Sequence, residues 1–199
     1  MFTRIVSFTD AKDLDSGIAF VRDVVTPVLH SQRGWRGTTA SADRSAGVFA
    51  VLTLWESEAD RDASESALLK VRDEGHKVIG GHVNVEYFEE VGGAFAAMPT
   101  IGSKLLVTRV SMDAAKVDEI IAEFGREVAP QITSAPGFQA YRQMVNRETG
   151  DAIVGTTWAD ADSRSKALAM AEERQRSGKM PVTIRERSER DIVFIDLPS

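Results

Sequence analysis

Val25-Thr26-Pro27-Val28-Leu29-His30-Ser31-Gln32-Arg33-Gly34-Trp35 is answered 103 residues later by Val128-Ala129-Pro130-Gln131-Ile132-Thr133-Ser134-Ala135-Pro136-Gly137-Phe138. The valine, the proline and the glycine-aromatic pair hold one register. Asp10-Ala11 falls on Asp113-Ala114 and Trp55 on Trp158 at the same offset. Identities this sparse carry weight because their spacing is constant and they sit where elements should begin and end. A chain of 199 residues divides naturally into two units of this size. The division expected from the repeat is a first module over 1–91, a linker over 92–103 and a second module over 104–199.

Each copy reads as βαββαβ. Residues 3–9 and 104–110 are rich in residues that fit a pleated, half-buried surface, and they supply the first strands. Asp10 or Asp13, and Asp113 in the second copy, are placed to cap the helix that follows. That helix carries Leu14, Ile18, Val21 and Val25 in one copy and Val117, Ile120, Phe124 and Val128 in the other, an apolar stripe at helical period. Pro27 and Pro130 lack an amide hydrogen and crowd the preceding turn, so both helices are expected to kink or break there. A hairpin follows in each copy, from Trp35 to Trp55 and from Phe138 to Trp158. A second helix is then expected over 57–76 and 160–177, capped by Ser57 and Asp160. Val83–Glu90 closes the first copy as a strand. The second copy is expected to spread its tail over Val182–Arg187 and Ile192–Leu197, with Arg185-Glu186-Arg187-Ser188-Glu189-Arg190 as a surface hairpin between them.

Composition narrows the function classes. The net charge of -6 and the absence of a dense basic stripe argue against nucleic acid as a partner. Cysteine is absent, which removes thiolate nucleophiles and thiolate-ligated metal. Three histidines scattered at 30, 76 and 82 do not form a metal-binding motif, and no metal is expected. No apolar run approaches the roughly 18 residues of a membrane helix. The amino terminus lacks the pattern of a signal peptide, so no membrane association and a cytoplasmic location are expected.

Leu54-Trp55-Glu56-Ser57-Glu58, after a Gly-Trp turn and a polar hairpin, resembles the dimeric α+β barrel superfamily, and within it the antibiotic biosynthesis monooxygenase-like family. Ala135-Pro136-Gly137-Phe138 with Thr157-Trp158-Ala159-Asp160 resembles it again in the second copy. The resemblance implies an α+β fold of two ferredoxin-like modules whose antiparallel sheets pack as an intrachain pseudo-dimeric barrel. It also implies a choice of activities: cofactor-independent oxygenation of a small hydrophobic aromatic substrate, heme binding or degradation, or a non-enzymatic role in binding a ligand or protein. Under the heme reading His76 is the counterpart of the family's ligand, with Lys179 at the matching place in the second copy. Under the oxygenase reading no cofactor is required.

Candidate site residues follow from chemistry. Arg109 and Arg142 each interrupt a strand-like stretch, and a guanidinium directed into a barrel needs an anion. A substrate anion or an internal salt bridge would serve. Trp55 and Trp158 are expected either to pack under the following helix or to wall a pocket, with Tyr141 as a further substrate contact; the resemblance implies Ser7 as another, since it stands nearest the place of the first-strand asparagine of the heme-degrading branch. On a regular strand Tyr141 and Arg142 point to opposite faces. The mixed-sign run Glu172-Glu173-Arg174-Gln175-Arg176-Ser177-Gly178-Lys179 reads as a solvated helix end. The chain is expected to act as a monomer with an internal pseudo-twofold or as a homodimer.

Overall fold

The computed structural model describes residues 1–178 and 181–198, so the comparison of Lys179 with His76 lies outside the described residues. Two compact units are present: Met1–Tyr87 with Asp191–Ser199, and Phe88–Arg190.

The first unit begins with strand β1 (Phe2–Thr9) and helix α1 (Leu14–Phe20). Asp13 caps α1, its carboxylate accepting the Ser16 amide at 2.9 Å, while Asp10 adopts a positive φ of 54° instead. The helix does not break before Pro27. It widens into a π-helical turn, Val21–Val25, before continuing as α2 (Thr26–His30). The Thr26 amide donates back to Val21 O, and the Thr26 hydroxyl donates to the same oxygen at 2.9 Å. A wide turn thus absorbs the irregularity that proline forces on the ladder. Strands β2 (Trp35–Asp43) and β3 (Val48–Trp55) form the expected hairpin. The capped helix α3 (Glu58–Ala63) and α4 (Glu65–Ile79) follow, and β4 (His82–Phe95) leaves the unit.

The second unit repeats this order. Strand β5 (Lys104–Ser111) leads through a short 3-10 turn into α5 (Val117–Glu123), a π-helical turn (Phe124–Val128) and α6 (Ala129–Thr133). The π turn therefore recurs at the offset of the sequence repeat. Strands β6 (Phe138–Val145) and β7 (Asp151–Trp158), helix α7 (Ala161–Ser177) and β8 (Thr183–Asp196) complete it. Asp160 caps α7 through the Ser163 amide at 2.8 Å. Gly47 and Gly150 occupy equivalent hairpin turns with positive φ, and their carbonyls accept the Ala11 and Met112 amides, each at 2.9 Å.

The strands close into one antiparallel barrel in the order β1-β3-β2-β8-β5-β7-β6-β4. Two expectations about the chain ends are corrected here. The stretch 92–95, expected in the linker, is strand: Gly92–Phe95 pairs with Ala140–Gln143. The surface hairpin expected over 185–190 is instead the middle of the uninterrupted strand β8, whose Asp191–Asp196 segment pairs with Thr38–Ala42. Both closing strands run for 14 residues. The glycines of one and the alternating charges of the other suggested ends, but paired backbone amides compensate for weak strand composition. No helix among the described residues is long and apolar enough to cross a membrane.

Candidate functional site

The sheet of each unit presents an apolar face to its own helices, and each unit has a cavity there. The two differ in size. In the first unit the cavity is about 60 Å³ and is bounded by Val6, Phe8, Leu68 and Ile79 among others. In the second it is about 200 Å³, bounded by strands β5, β7 and β8 and by helices α5, α6 and α7.

The cause of the difference can be read position by position. Phe8 pairs with Phe49 across β1 and β3, their rings 6.1 Å apart. The matching pair across β5 and β7 is Val110 and Ala152, both of which line the larger cavity. Leu68 on α4 is buried, and 103 residues on stands Ala171 of α7, again a lining residue. Three large side chains that fill the first unit are small ones in the second.

Trp158 forms one wall of the larger cavity. It is 1% exposed, lies edge-on to Phe138 at 5.8 Å, and donates its indole N–H to Thr156 Oγ1 at 2.9 Å. The last bond fixes the plane of the ring and leaves an apolar face to the cavity. Thr108, Thr156 and Gln143 add neutral polar atoms. At the end of α7 the lining turns cationic, with Arg174, then Arg187 of β8. Burial, and then the like charge of Arg187, hold the Arg174 pKa below its usual value.

The other candidates are placed elsewhere. Trp55 is fully buried with Leu29 and Leu68, its N–H donated to Thr53 Oγ1 at 3.0 Å and its ring 5.5 Å from the Arg4 guanidinium. It is core. Ser7 is buried on the face of β1 opposite Arg4, Val6 and Phe8, and its hydroxyl has no hydrogen-bond partner among the described residues. Tyr141 packs between Phe124 and Phe138, at 6.0 and 6.4 Å, where burial raises its pKa. It adjoins the larger cavity without lining it. Arg142 forms an ion pair with Glu90 at 2.5 Å and stacks on Phe95 at 5.3 Å; Arg109 lies 3.7 Å from Glu186. The anion that each was expected to need is thus an internal carboxylate, and neither arginine lines either of these two cavities. His76 is exposed at the end of α4 with Nε2 2.8 Å from the Gly81 carbonyl oxygen; that pairing requires the proton on Nε2 and engages the nitrogen. It too is outside both cavities.

The sequence pattern places Arg174 in a solvated helix end and Arg187 in a surface hairpin, and both line the cavity instead. For Arg174 a signal was present: Ala167, Met170, Ala171, Arg174, Gln175 and Gly178 recur at helical spacing, and all line the cavity. For Arg187 there was none. Ile184 and Arg187 are three apart, a spacing that sends side chains to opposite faces of a regular strand, yet both border the cavity.

No protein-family model matches the chain. The uncharacterized protein Rv2557 of Mycobacterium tuberculosis is 30% identical over 153 residues, which span 77% of this chain and 68% of that protein. Among solved structures, a candidate monooxygenase from Fusobacterium nucleatum superposes with a TM-score of 0.72 at 12% identity, covering 98% of this chain and 94% of that one. An anthrone oxidase-like protein superposes with a TM-score of 0.68 at 14% identity, covering 98% and 92%. At these identities the structural likeness establishes the fold.

Proposed function

We propose a function from one premise: the chain belongs to the family of the uncharacterized protein Rv2557 of Mycobacterium tuberculosis, on the dimeric α+β barrel fold of antibiotic biosynthesis monooxygenase-like proteins. The function is oxygenation of a small, hydrophobic, electron-rich aromatic compound in the cavity of the second unit. The observation that carries it is that cavity, about 200 Å³, apolar within and walled by Trp158. An engineered apolar cavity of about 150 Å³ holds benzene, so this volume suits a molecule of one or two rings.

In this reading no cofactor takes part. A reduced substrate RH2 loses a proton, and its anion passes an electron to dioxygen. Recombination forms a carbon–oxygen bond, and loss of water leaves R=O, so RH2 and O2 give R=O and H2O. The protein excludes water, holds the ring against Trp158 and stabilises the anion. The names of two structural neighbours, a candidate monooxygenase and an anthrone oxidase-like protein, favour this reading.

A second reading, binding without turnover, is favoured by a different observation. The described residues that line the cavity include no carboxylate, imidazole or phenol to act as general base. The substrate's own acidity would have to suffice. The two readings separate in one assay: reduced phenols and hydroquinones of one or two rings are incubated with the protein under ¹⁸O₂. Oxygenation predicts one ¹⁸O per product molecule, formed at least about tenfold faster than in buffer. Rates equal to buffer across the series leave the binding role in its place.

A further inference from the structure

We infer that the mouth of the second unit's cavity is an anion subsite, where the guanidiniums of Arg174 and Arg187 take the carboxylate of a small hydrophobic acid whose ring or chain fills the apolar interior. The inference rests on the proposed site but not on its chemistry.

Charge pairing sets these two arginines apart. Arg4 and Arg72 share Glu65, at 3.0 and 2.7 Å; Arg61 has Glu58 and Asp62; Arg142 has Glu90; Arg164 has Glu189. Arg174 and Arg187 have no such carboxylate among the described residues, although the chain carries 30 acidic side chains. Their Nε atoms are buried without a hydrogen-bond partner among the described residues. Withdrawing a cation from water without a counter-charge is costly, and a second cation beside it adds repulsion. An arriving anion relieves both.

The way the two groups are held sets them apart as well. Arg187 donates to Gln175 Oε1 at 2.7 Å and to the Ala171 carbonyl at 3.3 Å, and Arg174 donates to Gln131 Oε1 at 3.3 Å. Neutral oxygens orient these side chains without cancelling their charge. Each guanidinium carries five donors in a planar fork, a shape that matches the two oxygens of a carboxylate.

The first unit supplies an internal comparison. At the repeat offset Arg174 corresponds to Val71 and Gln175 to Arg72, while Leu168 occupies the place of Glu65. In the first unit the helix that covers the sheet brings its own acid to its arginines. In the second unit Leu168, Gln175 and Leu106 stand where the first has Glu65, Arg72 and Arg4, so that ion cluster has no counterpart; Arg174, at the place of Val71, is a cation that the first unit lacks there, and the cavity beside it is open. A cation gained without a carboxylate borders the added volume, and a hydrophobic acid suits both.

Calorimetric titration of the whole chain with benzoate, 2-naphthoate and octanoate, each beside its primary amide, tests this. The expected result is stoichiometric binding of at least one acid, with its amide bound about tenfold or more weakly. Arg174→Gln and Arg187→Gln should each weaken acid binding by about the same factor and narrow the preference for acid over amide, with Arg174→Lys retaining part of that preference. No binding of any acid, equal affinity for acid and amide, or undiminished acid binding in both glutamine variants overturns the inference. Thermal unfolding of each variant verifies that the chain is folded. Acid preference without ¹⁸O-labelled product would sink only the oxygenase reading, and labelled product without acid preference would sink only the subsite.

Discussion

Trp55→Ala is expected to lower the free energy of unfolding by about 3–5 kcal/mol, the range for deleting a large aromatic from a packed interior. The side chain is fully buried and packs with Leu29 and Leu68. Deletion leaves a void where helix and sheet meet, and it removes the donor bonded to Thr53 Oγ1. It also strips one face from Arg4, which is 2% exposed and lies over the Trp55 ring at 5.5 Å and the Tyr87 ring at 5.8 Å. A desolvated guanidinium that loses one of its two π-faces keeps only the Tyr87 ring and its polar contacts to offset its burial. Urea unfolding monitored by far-UV circular dichroism measures the change. A loss below about 1 kcal/mol would mean that Trp55 is not the centre of this cluster. Ligand binding in the second unit should survive the substitution at temperatures where the chain remains folded.

The second large effect is expected from Glu65→Gln, which should cost about 2–3 kcal/mol. Its carboxylate neutralises two arginines at once, Arg4 at 3.0 Å and Arg72 at 2.7 Å. Breaking a fully buried pair by removing one partner costs about 3–5 kcal/mol; Glu65 is 35% exposed, so water recovers part of the loss. Glutamine keeps the shape and one acceptor while removing the charge, and the remaining cations repel. Adding salt should narrow the difference between wild type and variant, because screening weakens that repulsion. A neutral result would show that Ser64 Oγ and the Arg61 carbonyl, at 3.1 and 2.6 Å from Arg4, hold its guanidinium without help.

The fold was legible because the repeat and the element periods agree. Ser57 and Asp160 act as the helix caps that their positions implied, and Trp55 and Trp158 end equivalent strands. What patterning hid was long-range pairing. Gly92 and Gly93 look like a linker until Arg142 and Gln143 are found opposite them, and the charge alternation of 185–190 does not reveal that one strand runs through it. Proline was readable as an irregularity but not as a π turn, since sequence marks the lost donor and not how the preceding carbonyls are satisfied.

The site was less legible than the fold. Trp158 was found because it repeats Trp55, yet the repeat could not tell which tryptophan walls a cavity. That depends on the neighbours Val110, Ala152 and Ala171 standing where the first unit has Phe8, Phe49 and Leu68. The arginines of strands, Arg109 and Arg142, drew attention because they interrupt apolar stretches, and both have carboxylates in reach. Arg174 and Arg187 lie in runs of mixed sign, each with a glutamate immediately before it in sequence. Position along a chain says little about which charges meet.

The central claim, that the ligand site is the cavity of the second unit and not that of the first, is tested most directly by titrating the tightest-binding acid into two variants side by side. Val110→Phe with Ala171→Leu gives the second unit the large residues of the first, and Leu68→Ala removes one of them from the first. The account predicts that the filled double variant, folded and at least as stable as the wild type, loses binding, while Leu68→Ala binds as the wild type does. Undiminished binding in the double variant, or loss of binding in Leu68→Ala, would contradict it.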